Sequence, residues 1–190
     1  KEFNQNFKIN LKKPLNNLNP KDESLANIIR VANYNNEIKK ISKFKFSKID
    51  DFDYFEPELS FDGKNFIFFD DKGTIFKFDN NFNLIWKKNF YSKQEKKLKP
   101  ILTFANEGNL LIVLDNIAKF YAINTNTGDL VWSKINSNPV NSQVKIYDNK
   151  IFSIDLNNIL RCFSIKDGSE IWQFKSENTF LKSTKRNSLI

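Results

Sequence analysis

Carboxylates, a single thiol and one lysine-rich run are the groups in this sequence that could support chemistry or binding. Asp50, Asp51 and Asp53 crowd together, as do Asp70 and Asp71, and grouped carboxylate oxygens can hold calcium. Asp is also a turn residue, because its side chain bonds nearby backbone N–H groups, and a solvated turn is the preferred reading of both clusters. Cys162, between Arg161 and Phe163, is the only cysteine, so neither an intramolecular disulfide nor a cysteine-based zinc site can form. The chain has no histidine. A thiol nucleophile therefore lacks its usual activating base, and the commonest general base and transition-metal ligand are missing. Cys162 reads as a buried structural thiol in a strand. No glycine-rich phosphate loop, Ser-His-Asp set or paired catalytic carboxylate pattern occurs. Residues 87–99 form the most basic stretch. They suit an acidic partner or anionic headgroups, or a solvated insertion, which is the preferred reading.

The elements that must position such groups are marked by three tryptophans. Trp86, Trp132 and Trp172 stand 46 and 40 residues apart. Each closes the same kind of segment: a hydrophobic strand, a polar turn, two residues at the start of a new strand, then Trp. The segments run from Phe78 to Trp86, from Ala122 to Trp132 and from Phe163 to Trp172. A period of about 40–45 residues with several strands per unit predicts propeller blades. A large side chain at one place in every blade can wedge against the next blade, burying about 150–250 Å². Trp86, Trp132 and Trp172, with the turn glycines Gly128 and Gly168, are therefore expected to be blade-packing residues.

Four strands are predicted per blade. They cover 54–61, 66–70, 74–79 and 84–89 in the first blade, and 100–105, 110–115, 119–124 and 130–135 in the second. The third has 140–147, 151–155, 160–165 and 170–175. Gly, Asn and Asp fill the turns because tight hairpins need positive φ. The runs 66–69 and 110–114 are apolar on both faces, as middle strands packed between two blades should be. An insertion at 91–98 lengthens the first tryptophan spacing.

Outside the repeats, residues 1–40 read as an irregular N-terminal arm rich in Asn and Lys, with Pro14, Pro20 and a short helix over 23–32. Phe44-Lys45-Phe46 reads as the outer strand of a preceding or ring-closing blade, and residues 180–190 as the start of a further one. The domain division is thus an arm over 1–40 and a partial propeller over 41–190, with blades at about 52–89, 99–135 and 140–175. Propellers close with about four to eight blades, so the sequence is expected to be part of a larger ring. With Lys at position 1 and no Met anywhere, it is expected to be a processed product or an excised piece.

Composition sets the remaining bounds. The chain is 40% hydrophobic, 15% aromatic and 27% charged, which is globular, and it contains no apolar run long enough to form a transmembrane helix. The net charge is +8, but the lysines are interspersed with acids rather than gathered on one helix, and no nucleic-acid partner is expected.

The segment Ala122, Thr127, Gly128, Trp132 resembles the PQQ-like β-propeller repeat, with Asn124 where Asp is usual. The third repeat keeps Gly168 and Trp172. The first keeps only Trp86 and has Phe82 in place of the glycine, so its turn is degenerate. The order of features is most similar to the BamB family of outer-membrane assembly lipoproteins: an arm, a short strand, a blade opened by the segment from Pro57 to Gly63, and a longer loop after the first Trp. That resemblance implies an all-β, eight-bladed, non-enzymatic scaffold without a cofactor. It also implies a lipid anchor on the periplasmic face of the outer membrane and docking on the central barrel-insertion subunit. It points to Phe180, Leu181, Lys182, Lys185 and Arg186 as candidate partner-binding residues. Two other functions stay open on the sequence: a fragment of a PQQ-dependent quinoprotein dehydrogenase, and a generic propeller binding another envelope protein. The dehydrogenases use calcium, an Asp base and typically a vicinal Cys pair, which one cysteine cannot supply.

Overall fold

A computed structural model describes residues 59–63 and 65–175. The arm, the helix over 23–32, Phe44–Phe46, the carboxylates Asp50, Asp51 and Asp53, and everything from 176 onward lie outside the described residues. That last stretch includes Phe180, Leu181, Lys182, Lys185 and Arg186.

The described residues are β-structure joined by short turns, in three four-stranded antiparallel sheets whose strands follow chain order. The first blade holds β1 (Ser60–Asp62), β2 (Asn65–Phe69), β3 (Thr74–Phe78) and β4 (Leu84–Asn89). The second holds β5 (Leu102–Glu107), β6 (Leu110–Asp115), β7 (Lys119–Asn124) and β8 (Leu130–Ile135). The third holds β9 (Lys145–Tyr147), β10 (Lys150–Ile154), β11 (Ile159–Ser164) and β12 (Glu170–Lys175). The first strands of successive blades lie side by side, β1 by β5 and β5 by β9. Asn106 ties the first pair, its Nδ2 donating to Ser60 Oγ and to the Phe61 carbonyl, each at 2.7 Å.

Side-chain alternation explains how one sheet serves two interfaces. On β6, Leu111 and Val113 join Ile67, Phe69, Ile75 and Trp86 of the first blade, while Ile112 and Leu114 join Ile151 and Phe163 of the third. On β7, Tyr121 and Ile123 take the first side and Phe120 and Ala122 the second. A strand with a period of two and a neighbour on each face must be apolar at every position, as residues 110–114 are.

The β2–β3 type of turn is built identically three times. Asp70, Asp115 and Asp155 are all buried at the end of the second strand. Their Oδ1 atoms accept the N–H groups two and four residues on: Lys72 and Thr74, Ile117 and Lys119, Asn157 and Ile159. Gly73, Ala118 and Asn158 close these turns with positive φ. Such Asx turns satisfy backbone donors that the sheet leaves over.

Strands β2, β3, β10 and β11 differ from the sequence expectation by one residue at one or both ends, and β1 runs over Ser60–Asp62, with Leu59 outside it, where 54–61 is expected; two further strands differ more. Strand β5 begins at Leu102 rather than 100: proline has no N–H, and the Ile101 N–H is taken by Asn116 Oδ1 at 2.8 Å. Strand β9 is only Lys145–Tyr147, and Val140 makes an isolated bridge to Asp155. Between them Ser142 Oγ accepts the Ile154 N–H at 2.8 Å and donates to the Gln143 carbonyl at 2.7 Å, so a hydroxyl replaces the ladder.

Candidate interaction site

Each outer strand carries a β-bulge one residue before its tryptophan. Lys77 faces Trp86 while Phe78 faces Leu84, which skips Ile85, and the shift recurs at Val131 and Ile171. A bulge adds local twist and re-aims the following side chain. Here the tryptophan swings onto the next blade. The Trp86 ring lies on Gly128, where an added Cβ would sit 2.8 Å from Cδ2, and its Nε1 donates to the Thr125 carbonyl at 2.9 Å. Trp132 repeats this one blade on: a Cβ on Gly168 would lie 2.6 Å from Cζ3, and Nε1 donates to the Ile165 carbonyl at 3.1 Å. Gly128 and Gly168 both have positive φ, so each glycine meets a conformational and a steric demand at once. Trp172 is 42% exposed and packs on Phe152 of its own blade at 6.0 Å.

The connection from β4 to β5 is the most elaborate in the described molecule. Tyr91 and Pro100 are buried and pin its two ends over Gly73, where a Cβ would meet both. Tyr91 Oη donates to Asp115 Oδ2 at 2.6 Å, and Tyr121 Oη donates to Tyr91 Oη at 3.4 Å. Lys119 Nζ donates to the Phe90 carbonyl at 2.6 Å, reaches Glu95 Oε1 at 3.2 Å and sits 4.9 Å over the Tyr91 ring. Ser92 and Glu95 cap reciprocally: the Ser92 N–H donates to Glu95 Oε2 at 2.6 Å and the Glu95 N–H to Ser92 Oγ at 3.2 Å. A 3₁₀ turn, Glu95–Leu98, follows and ends at Lys99 with φ 52°. The insertion is therefore a strap rooted in the second blade. Its tip exposes Lys93, Lys97, Leu98 and Lys99.

Electrostatics follow this geometry. Burial raises the Asp115 carboxyl pKa, and the Tyr91 hydroxyl and the Lys119 and Ile117 amides pull it partly back. Burial raises Tyr91 strongly, reinforced by Tyr121 and Asp115, and burial also raises Tyr121, so both phenols stay neutral. Glu95 is lowered, first by the Ser92 amide and also by Lys119. A second charged site crosses the first interface: Lys77, buried on β3, donates to Asp62 Oδ2 at 2.5 Å and to the Thr125 carbonyl at 2.8 Å. In the third blade Arg161 donates from Nε to Asp155 at 2.9 Å and from Nη1 to Glu170 at 2.5 Å. Buried Cys162 is raised by desolvation and is a poor nucleophile there.

These placements commit the buried carboxylates to structure. Asp70, Asp115 and Asp155 commit an oxygen each to their own turns, and among the described residues no group of three or more His, Cys, Asp or Glu side chains converges to hold a metal ion. Trp86 and Trp132 press on glycine from outer strands, away from the first strands that neighbour one another. The described residues do not fit a quinone and calcium pair.

The sequence points at Trp86, Trp132, Trp172, Gly128 and Gly168, and the fold brings Trp86 to Gly128 and Trp132 to Gly168. It does not point at Tyr91, Lys77, Lys119 or Tyr121. The recurring Asp at 70, 115 and 155 is a signal in the sequence that would have located the turns.

Comparison with known proteins accords with this architecture. A protein-family model described as outer membrane protein assembly factor BamB matches residues 71–189. No curated protein matches the chain. Among solved structures, BamB from Moraxella catarrhalis is similar at TM-score 0.53 and 14% identity, over 63% of this chain and 35% of that one. A quinohemoprotein alcohol dehydrogenase from Pseudomonas putida HK5 is similar at TM-score 0.51 and 15% identity, over 61% of this chain and 20% of that one. The computationally designed protein Ika4 is similar at TM-score 0.53 and 12% identity, over 65% of this chain and 73% of its own. The chain spans about a third of the length of the Moraxella protein. At these identities the structures speak to the fold, and the matched family model covers well over half of the residues: the chain belongs to the BamB family of PQQ-like β-propellers.

Proposed function

We propose that this chain is part of a non-enzymatic, protein-binding propeller that assists assembly of outer-membrane β-barrel proteins from the periplasmic face of that membrane, where a lipid anchor holds it. Membership in the BamB family supports this reading. The observation that carries it is the use made of polar groups. Buried carboxylates cap turns, tryptophan N–H groups tie blades together, and the strap is held at both ends with its tip outward. Such a body presents loops rigidly, which lowers the ordering cost of docking a partner. Phe180, Leu181, Lys182, Lys185 and Arg186 are proposed as further contacts with the central barrel-insertion subunit.

The test is capture of partners from envelope extract on the tagged chain. Recovery of the barrel-insertion subunit is expected, with at least a tenfold loss in a K182E/R186E variant, since rim charges govern encounter. Failure to recover it, or a saturable visible-absorbance change on titration with PQQ and calcium, would sink the proposal in favour of an unrelated partner or a dehydrogenase.

A further inference from the structure

We propose that the strap tip, Lys93, Lys97 and Leu98, is a docking surface for an acidic protein segment that offers an apolar socket to Leu98. The inference rests on the scaffold reading and names the partner chemistry for one loop of it. Four observations combine. First, the tip is exposed, Leu98 at 61%, on a turn whose ends are buried. Second, Glu95 is the only acid in residues 87–99, and both its carboxylate oxygens are turned inward, to the Ser92 amide and to Lys119. The strap's one negative charge is thus spent on its own fold, while Lys93 and Lys97 stand exposed at the tip.

Third, the conformation is fixed in advance by the Ser92–Glu95 cap, the Tyr91–Asp115 bond and the left-handed Lys99, whose N–H donates to the Lys96 carbonyl. A preformed turn gives up little freedom on binding. Fourth, the corresponding connection from β8 to β9, residues 136–144, carries no charged residue at all. The cationic tip is therefore not shared by the connection that follows the second blade. An anionic bilayer is the weaker match, because surface-lying segments bury a broad apolar face and this four-residue turn offers one leucine.

The experiment titrates the isotope-labelled 190-residue chain with a synthetic glutamate-rich peptide containing leucines, read by amide chemical shifts. Shifts concentrated at residues 92–99 are expected, with affinity falling about tenfold as salt rises from about 50 to about 300 mM. K93E/K97E should weaken binding at least about tenfold and L98A about fivefold. Thermal unfolding should be unchanged, because all three positions are exposed. Shifts spread over lysines elsewhere, or full binding by K93E/K97E, overturn the proposal. So does co-sedimentation with phosphatidylglycerol–phosphatidylcholine vesicles that K93E/K97E abolishes while the peptide does not bind. Envelope capture separates the two readings: a partner held equally by K93E/K97E refutes the strap and leaves the scaffold standing, whereas no partner on the wild-type chain refutes the scaffold whatever the peptide does.

Discussion

The junction between the first and second blades and that between the second and third share one joint and differ in nearly everything added to it. In both, a tryptophan aimed by a bulge lies on a left-handed glycine and donates to the carbonyl three residues earlier. The second junction adds mainly apolar packing: Phe120 sits between Trp132 at 4.8 Å and Phe163 at 4.9 Å. The first adds polar ties, namely Lys77, paired with Asp62 of its own blade, to the Thr125 carbonyl, Lys88 to Asp129, and the strap through Tyr91 to Asp115. The repeated joint sets how blades stack. The unrepeated groups set how firmly, and what is displayed beside them.

The largest test of this contrast is removal of the wedges. Trp86 is 8% exposed, whereas Trp132 is only half-buried. Trp86→Ala should cost about 3–5 kcal/mol, the range for a large buried aromatic, and Trp132→Ala about 2–3 kcal/mol. Urea midpoints at fixed slope would show the order, and equal losses would mean that the polar ties of the first junction do not depend on its wedge.

Next comes the buried ion pair. Lys77 has a side chain 3% exposed and Asp62 one 25% exposed. Removing either alone strands a poorly solvated charge, so Lys77→Met should cost about 2–3 kcal/mol. A double-mutant cycle with Asp62→Asn should show a coupling of about 1–2 kcal/mol. The slot is Ala122 in the second blade and Cys162 in the third, so Lys77→Ala makes the first junction resemble the second. A cycle with no coupling would remove the ion pair from the comparison.

The strap root follows. Tyr91→Phe leaves Asp115 Oδ2 without its phenol donor and should cost about 1–2 kcal/mol near pH 7. The sign with pH follows from Asp115, whose carboxyl is already raised by burial. A raised folded value gives stability that is present when the group is protonated and lost as pH rises through that value. Losing the Tyr91 donor raises it further. The deficit of Tyr91→Phe should therefore shrink as pH falls through the raised Asp115 range and widen above it, which denaturant titrations at several pH values would show.

How much of this was legible depends on whether the cause is local. The strands 110–115, 119–124 and 130–135 stood out because alternation and turn residues lie within each segment, and all three match the observed bounds. The fold class followed from the tryptophan period. The bulges at Ile85, Val131 and Ile171 left no mark, since skipping one residue changes the register and not the composition. Lys77 carries no local signal, because its partners Asp62 and the Thr125 carbonyl are brought to it from 15 and 48 residues away. Residues 87–99 read as a solvated insertion because Tyr91 finds Asp115 only after two blades have packed.

The smallest effect concerns the first blade's own turn. Gly128 and Gly168 each receive a tryptophan, and Phe82 holds the matching left-handed position with φ 64°. This turn is tighter: the Phe82 N–H donates to the carbonyl three residues back, at Asp79, whereas Gly128 and Gly168 reach four back, to Asn124 and Ser164. A left-handed non-glycine residue costs about 1–2 kcal/mol. Its edge-on contact with Phe66, 5.3 Å between ring centres, returns about 0.5–1.5 kcal/mol. Phe82→Gly should therefore change stability by less than about 1 kcal/mol, because strain and stacking vanish together. Phe82→Ala keeps the strain and loses the ring, and should be the more destabilising by about 1 kcal/mol. If the alanine variant is the more stable of the two, the ring does not offset the strain, and the place taken by tryptophan elsewhere is not filled here by Phe82.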